Sequence, residues 1–390
     1  MNYTDKDYAL AAEALANNGV VVIPVFDAET LVEMNTSVWG EMGDFPEYNQ
    51  AIPAKERKFV LGGFGALGNP SSFHTPSVRD IRKQLSHQVF RPLSREFVSQ
   101  KGWSKDGMCF EQLFDRICIR SHTQGKPSAE AWHRDVFEPE KTDAETVVHD
   151  IGEGEPAPIF GGWLNLNQKG GGDRDQYLLG IKGTHDTPDA VDAVRSGGQF
   201  ASFSKEAILE QDFAGQLKAQ SEIQDAFAPC DKRGRIRVPP GHIIIFQQGL
   251  VHSVAGGKQP LQPSLRLFTG FRICAGGKEL FPHKMEGMLT GAPMKIPSGQ
   301  VPPMFSANHY SFFQKAHLPF QGWGEKTFKQ GVLFKRKTKA DEKEYFTPGS
   351  QDDGRANKRR CMTSLKAYGM QDERFIYSED DIRVMQVQKI

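Results

Sequence analysis

The residues with the most evident chemical capacity are His133 and Asp135, in the run Trp132-His133-Arg134-Asp135-Val136-Phe137. In an extended chain, positions two apart face the same way. An imidazole nitrogen and a carboxylate oxygen therefore aim at one point. A second imidazole would complete two histidines and one carboxylate on one face of an octahedral ion, with three positions left open. That is the ligand set of non-haem iron(II) sites. A lone His-x-Asp is weak evidence: with 11 histidines and 48 acids in 390 residues, about one such pair is expected by chance. The plain alternative is a surface or core histidine beside a solvated aspartate. His252, in Leu250-Val251-His252-Ser253 after a strand, is the expected third ligand, because a later strand of a β-fold returns it to the first pair.

Arg266 and Arg272 stand in the segment 264–273, whose alternation puts Ser264, Arg266, Phe268, Gly270 and Arg272 on one face. Leu265, Leu267, Thr269 and Phe271 take the other. An inward guanidinium needs an anion, and a planar dicarboxylate matches its fork bidentately. Arg266 is the first candidate and Arg272 the second; a structural salt bridge is the alternative for either. Trp163, Asn165 and Asn167 also share a face, the polar lining expected of a wet cavity. Asn165 is a candidate to hydrogen-bond a bound co-substrate, and equally a structural residue. His149-Asp150 and His185-Asp186 place neighbours on opposite strand faces and are unsuited to chelation.

These residues need strands to hold them. The sequence predicts a helix over 4–18 capped by Thr4, a β-branched strand over 20–26 with Pro24 marking an edge, and a helix over 28–41. Residues 43–77 are irregular; the glycine-rich run 62–70 lacks the G-x-G-x-x-G order and reads as a loop beside a site. Helix is expected over 76–99, then strands around 116–120, 133–135, 160–167, 177–181, 236–246 and 264–273. Residues 187–227 read as polar and mostly helical, with helical period at 190–194 and 205–219. They form most of an insertion at about 186–235, placed to act as a lid. Many short strands with helices in front predict a mainly β protein with flanking helices (α+β) around a double-stranded β-helix, jelly-roll or cupin-like core. One domain over 1–300 and an extension over 301–390, aromatic then charged, is the expected division.

Lys+Arg and Asp+Glu are both 48, so no global charge draws the molecule to nucleic acid or anionic membrane. The five cysteines form no C-x-x-C, which argues against a disulfide framework and a thiolate zinc site. The charged first residues lack the apolar core of a signal peptide, and no run approaches the ~18 apolar residues of a span. An intracellular, cytoplasmic protein is expected. The basic runs 335–339 and 358–360 leave nuclear import or nucleic-acid contact open, although such runs are more often solvated.

In their order, these features resemble the phytanoyl-CoA dioxygenase-like group of Fe(II)/2-oxoglutarate oxygenases. Residues 15–25 resemble its opening helix and strand, Trp132-His133-Arg134-Asp135 its W-H-x-D, and Trp163-Leu164-Asn165-Leu166 its W-x-x-L strand. Lys182-Gly183-Thr184-His185 is similar to its P-G-S-H turn, with Lys for Pro and Thr for Ser; this implies a turn-stabilising role for His185. Residues 238–246 resemble its P-G-D-x-x-x-F, with His242 for Asp, and 250–253 its second-histidine segment. The likeness spans about residues 8–275. It implies that His133, Asp135 and His252 hold Fe(II), that Arg266 binds the distal carboxylate of 2-oxoglutarate, and that O2 is the oxidant. A carboxylate in the ligand set implies hydroxylation, since related halogenases leave that position free for halide. A small organic substrate is the first expectation. The Arg266–Arg272 spacing also resembles the paired arginines of AlkB-like demethylases, so nucleic acid, or a protein, is the second. A jelly-roll binding or structural protein without turnover is the third.

Overall fold

The computed structural model describes residues 3–42, 75–113, 117–120, 132–135, 158–168, 175–186, 193–196, 200–203, 205–253, 264–275, 384 and 388–390. In chain order these form α1 (Asp5–Asn18), β1 (Val20–Pro24), α2 (Ala28–Met42), α3 (Pro76–Leu85), a π-helical turn (Ser86–Phe90) and α4 (Arg91–Gln100). Then come β2 (Met108–Leu113), β3 (Ile117–Arg120), β4 (His133–Asp135), β5 (Ile159–Asn165), β6 (Gln176–Gly180), β7 (Ala193–Ser196) and β8 (Phe200–Phe203). The chain continues through α5 (Lys205–Glu210), α6 (Phe213–Ser221), β9 (Ile236–Val238), β10 (His242–Gln247), β11 (His252–Ser253), β12 (Ser264–Ala275) and β13 (Gln388–Lys389).

Two sheets result. One has seven strands in the order β1-β10-β5-β12-β2-β13, with β3 also on β12; the other has six in the order β7-β8-β4-β11-β6-β9. The strand pairs are antiparallel. β1 is an outer strand of its sheet with Pro24 at its end, as the sequence predicts, because proline cannot donate to a further neighbour.

Alternation assigns the faces. Val21, Ile23, Leu164, Ile243, Ile245, Leu265, Leu267 and Phe271 turn to one side of the seven-stranded sheet and pack with Leu15, Ile81, Leu93 and Phe97 of α1, α3 and α4. Val20, Val22, Trp163, Ile244 and Phe246 turn to the other side and meet Leu178, Ile236 and Val238 of the six-stranded sheet. The described residues thus form helices on a sheet on a second sheet. Each fully buried Val or Ile of this core contributes roughly 1.5–3 kcal/mol, an upper estimate since unfolded chains are partly collapsed.

Local chemistry sets the element ends. Thr4 and Asp7 form a reciprocal capping box on α1, with Thr4 N donating to Asp7 at 2.8 Å. Gly19, at φ 72°, ends the helix in the left-handed conformation. Tyr8 ties α1 to the π-helical turn by donating its hydroxyl to the Gln88 carbonyl, and burial pushes its pKa up to about 12.

Three placements differ from expectation or add to it. Residues 193–196 are a strand rather than the end of a helix, because β7 closes a hairpin with β8, which extends the sheet through β4. Pairing across the sheet overrides the local helical period. Second, α5 and α6 pack Ala207 and Phe213 against Phe203, Val251 and, partly buried, Trp132. That is the face of the six-stranded sheet turned away from His133 and His252, so these two helices back the strands that carry them. Third, the expected extension over 301–390 ends inside the domain: β13 pairs with β2, and Gln388 Nε2 donates to Ser86 Oγ at 2.8 Å. The glycine-rich run 62–70, His149, the early tail aromatics and the basic runs lie outside the described residues. Among the described residues, no helix is long and apolar enough to cross a membrane.

Candidate metal centre

Neighbouring strands bring the predicted ligands together. β11 pairs with β4 so that His252 stands directly opposite His133. Asp135, two residues on, projects to the same side. One ligand atom from each of His133, Asp135 and His252 lies within 4.8 Å of the others, and all three residues are buried. His133 Nε2 is 3.8 Å from Asp135 Oδ1, and His252 Nε2 is 3.7 Å from Asp135 Oδ2. The imidazole centroids are 4.3 Å apart.

The donor chemistry fits a cation. The Leu250 carbonyl lies 2.9 Å from His252 Nδ1 and can only accept, so Nδ1 carries the proton. In the neutral ring Nε2 is then a lone pair, pointed at a carboxylate. Two electron-rich atoms 3.7 Å apart in a buried site repel unless a cation stands between them. Three ligands at about 2.1 Å with right-angle geometry would stand ~3.0 Å from one another. The two histidine-to-aspartate gaps exceed this by under 1 Å.

One wall of the centre is apolar: the Phe246 ring is 5.1 Å from that of His252. The seven-stranded sheet provides the floor. On its inner face Arg266 stands opposite Asn165, and Phe268 opposite Trp163. Arg266 is buried, and its guanidinium carbon sits over the Trp163 ring at 4.7 Å. It therefore leans along the sheet toward the Phe268–Trp163 row, with an aromatic platform beneath it. The Trp163 indole nitrogen is buried, without a hydrogen-bond partner among the described residues.

Arg272 shares that face but is engaged otherwise. Its Nε donates to Glu111 Oε2 at 2.8 Å, and both side chains are fully buried. The register explains the pair, since Arg272 lies opposite Glu111. Asn165 is built into the framework: Nδ2 donates to the Val238 carbonyl at 2.8 Å, and Oδ1 accepts from Asn167 N and Gln176 Nε2, each at 3.0 Å. The polar face of β5 thus cross-links the two sheets. His185 sits in the turn after β6 and donates from Nε2 to the Ala16 carbonyl at 3.0 Å, fixing the turn to the end of α1. Burial lowers its pKa.

Sequence reasoning brought His133, Asp135, His252 and Arg266 to notice and missed Glu111, Arg134 and the Trp163 platform. Glu111 had a signal, being the one acid inside the strand Met108–Leu113. Arg134, between two ligands, donates to the Gly249 carbonyl at 3.0 Å, which nothing in the spacing announces.

No protein-family profile matches the sequence, and no curated protein matches it. Similar solved structures include the epimerase SnoN in complex with Fe3+, α-ketoglutarate and nogalamycin RO, at 14% identity and TM-score 0.41, over 70% of this chain and 86% of that one. The α-ketoglutarate-dependent carbocyclase SnoK from nogalamycin biosynthesis has 11% identity and TM-score 0.38, over 70% and 87%. EctD from S. alaskensis with 2-oxoglutarate and 5-hydroxyectoine has 15% identity and TM-score 0.39, over 67% and 75%.

Proposed function

We propose that this chain is an Fe(II)- and 2-oxoglutarate-dependent dioxygenase of the phytanoyl-CoA dioxygenase-like type, built on a double-stranded β-helix, that hydroxylates a small organic substrate. The observation that carries the reading is the convergence of His133, Asp135 and His252 on one buried point, with the Arg266 guanidinium on the facing sheet.

His133 and His252 would present neutral imidazoles and Asp135 one carboxylate, a net charge that leaves a divalent ion electrophilic. The Nδ1 proton of His252, held on Leu250, keeps Nε2 free for the ion. When bound, iron, 2-oxoglutarate and O2 would together supply the chemistry, one oxygen atom going into succinate as CO2 leaves and the other providing the oxidising power for hydroxylation. Arg266 would take the distal carboxylate of the co-substrate bidentately, its plane steadied by Trp163. The unpartnered Trp163 N–H is a second donor on the same floor. Phe246 and the inter-sheet cluster exclude water from one side, which strengthens each of these charge interactions. The substrate would enter from the side away from Phe246.

The test is succinate formation. Protein reconstituted anaerobically with Fe(II) is mixed with 2-oxoglutarate, and O2 is admitted. Succinate that disappears in His133→Ala and falls in Arg266→Ala supports the reading and opens a substrate screen. Neither succinate nor an anaerobic metal-to-2-oxoglutarate absorption band would refute it and favour a protein that keeps the fold without turnover.

A further inference from the structure

The three residues before His252 have an unusual set of partners. The Gly249 carbonyl accepts from Arg134 Nη1 at 3.0 Å. The Leu250 carbonyl accepts from His252 Nδ1 at 2.9 Å. The Val251 carbonyl accepts from Ile181 N at 2.9 Å. The Val251 N–H goes to a side chain, the Thr184 hydroxyl, at 2.9 Å. That hydroxyl passes its own proton to the Ile181 carbonyl at 2.7 Å. Thr184 thus clamps the 181–184 turn to the 249–251 segment from both directions. Space is tight on the same side: a Cβ on Gly249 would stand 2.6 Å from the His185 carbonyl oxygen.

The consequence for chemistry lies in the Leu250 carbonyl. Its direction fixes which nitrogen of His252 keeps the proton, and so which nitrogen has a lone pair for the ion. The peptide between Leu250 and Val251 contains both that carbonyl and the Val251 N–H that Thr184 accepts. Because a peptide is planar, holding its N–H holds the direction of its C=O. We propose that Thr184, helped by Arg134, is a positioning residue for the metal centre: its hydroxyl sets the Leu250–Val251 peptide and through it the tautomer of His252. This rests on the metal-site reading above and adds to it a residue that touches neither ion nor co-substrate.

The test uses the full chain with Co(II), and compares wild type with Thr184→Val, which keeps shape and removes the hydroxyl, and Thr184→Ser, which restores it. Thr184→Val is expected to weaken Co(II) binding roughly 10- to 100-fold, the usual effect of losing an outer partner of a ligand, and to alter the visible spectrum of bound cobalt. Thr184→Ser is expected to recover both. In metal-free protein labelled with 15N-histidine, with the His252→Gln spectrum as assignment, His252 is expected to be the Nδ1–H tautomer in wild type and a mixture in Thr184→Val. Should Thr184→Val not accumulate folded, Arg134→Met takes its place, with the same expected shifts. A variant that melts earlier yet keeps wild-type Co(II) affinity and tautomer has lost only a structural bond, and overturns the proposal. So does a Thr184→Ser variant that behaves like Thr184→Val. Wild-type protein that takes up no Co(II) overturns the metal reading itself, and the proposal with it.

Discussion

Arg266 and Arg272 sit six positions apart on one face of β12, and the structure predicts opposite consequences for losing them. Arg266 lies on the inner floor over Trp163, and its role in the proposed chemistry is to meet a carboxylate. Replacing it with Met removes a cation–π contact of about 1 kcal/mol from the free protein. The bound state loses a buried, hydrogen-bonded charge pair, ~2–5 kcal/mol. At 1.4 kcal/mol per decade this raises the Kd for 2-oxoglutarate roughly 30-fold at least, and up to a few thousandfold. Arg272 pairs with Glu111, each 0% exposed. Arg272→Met strands the glutamate, at ~3–5 kcal/mol of folding stability, a large share of a domain's usual 5–15. Protein that remains folded in the cold should still bind 2-oxoglutarate. Adding Glu111→Leu to Arg272→Met should recover most of the stability, because no charge is left behind. Urea unfolding measures one quantity and anaerobic titration of the 2-oxoglutarate absorption band the other. Wild-type 2-oxoglutarate affinity in Arg266→Met, or its loss in well-folded Arg272→Met, would refute the assignment.

Other predictions test the frame. Burial depresses the His185 pKa, so the unfolded chain binds more protons below about pH 6.5, and stability falls as pH drops through that value toward the folded pKa. His185→Gln, which can still donate to Ala16, should flatten that slope in urea midpoints between pH 5 and 7.5; an unchanged slope would show that other groups carry it. A Cβ on Gly162 would fall on the Ile244 carbonyl oxygen of the neighbouring strand. Gly162→Ala should therefore cost about 3 kcal/mol or more by thermal unfolding, and an unshifted melting temperature would contradict the β5–β10 spacing. Gln388→Ala removes the bonds to Ser86 and Arg91 and should cost ~2 kcal/mol; a neutral result would detach β13 from the core.

How much of this was legible depends on the range of each interaction. Local signals read well. Thr4, Gly19 and Pro24 marked α1 and an outer strand because caps and proline act within a few residues. The alternation in β12 separated Arg266 and Arg272 from the leucines for the same reason, a fixed period of two. The candidate metal ligands were legible as types, since His-x-Asp in a strand has one geometry. Their meeting with His252 depended on pairing across 119 positions, which alternation alone does not encode. Which arginine has a carboxylate already was not readable, because Glu111 reaches Arg272 only through the β2–β12 register.

The packing of α5 and α6 shows the same limit and bears on the picture of the site. The helical period of α6 was visible, but a period says which face is buried, not which side of a sheet receives it. Phe213 packs against Phe203 and Trp132, directly behind His133. The ligand strands are therefore supported from the rear by α5 and α6, and just before β11 by the turn containing Thr184, which accepts from Val251 N and whose next residue, His185, donates to the Ala16 carbonyl of α1. In the proposed metal centre, bracing of this kind would hold His133, Asp135 and His252 in place before an ion arrives. The structure predicts that Phe213→Ala, remote from any substrate, loosens metal binding as well as the fold: ~3–5 kcal/mol of stability from the cavity, with a fall in Co(II) affinity measured at a temperature where the variant is still folded. Undiminished affinity in folded Phe213→Ala would mean that β4 and β11 hold their geometry unaided, and that the helices serve the fold alone.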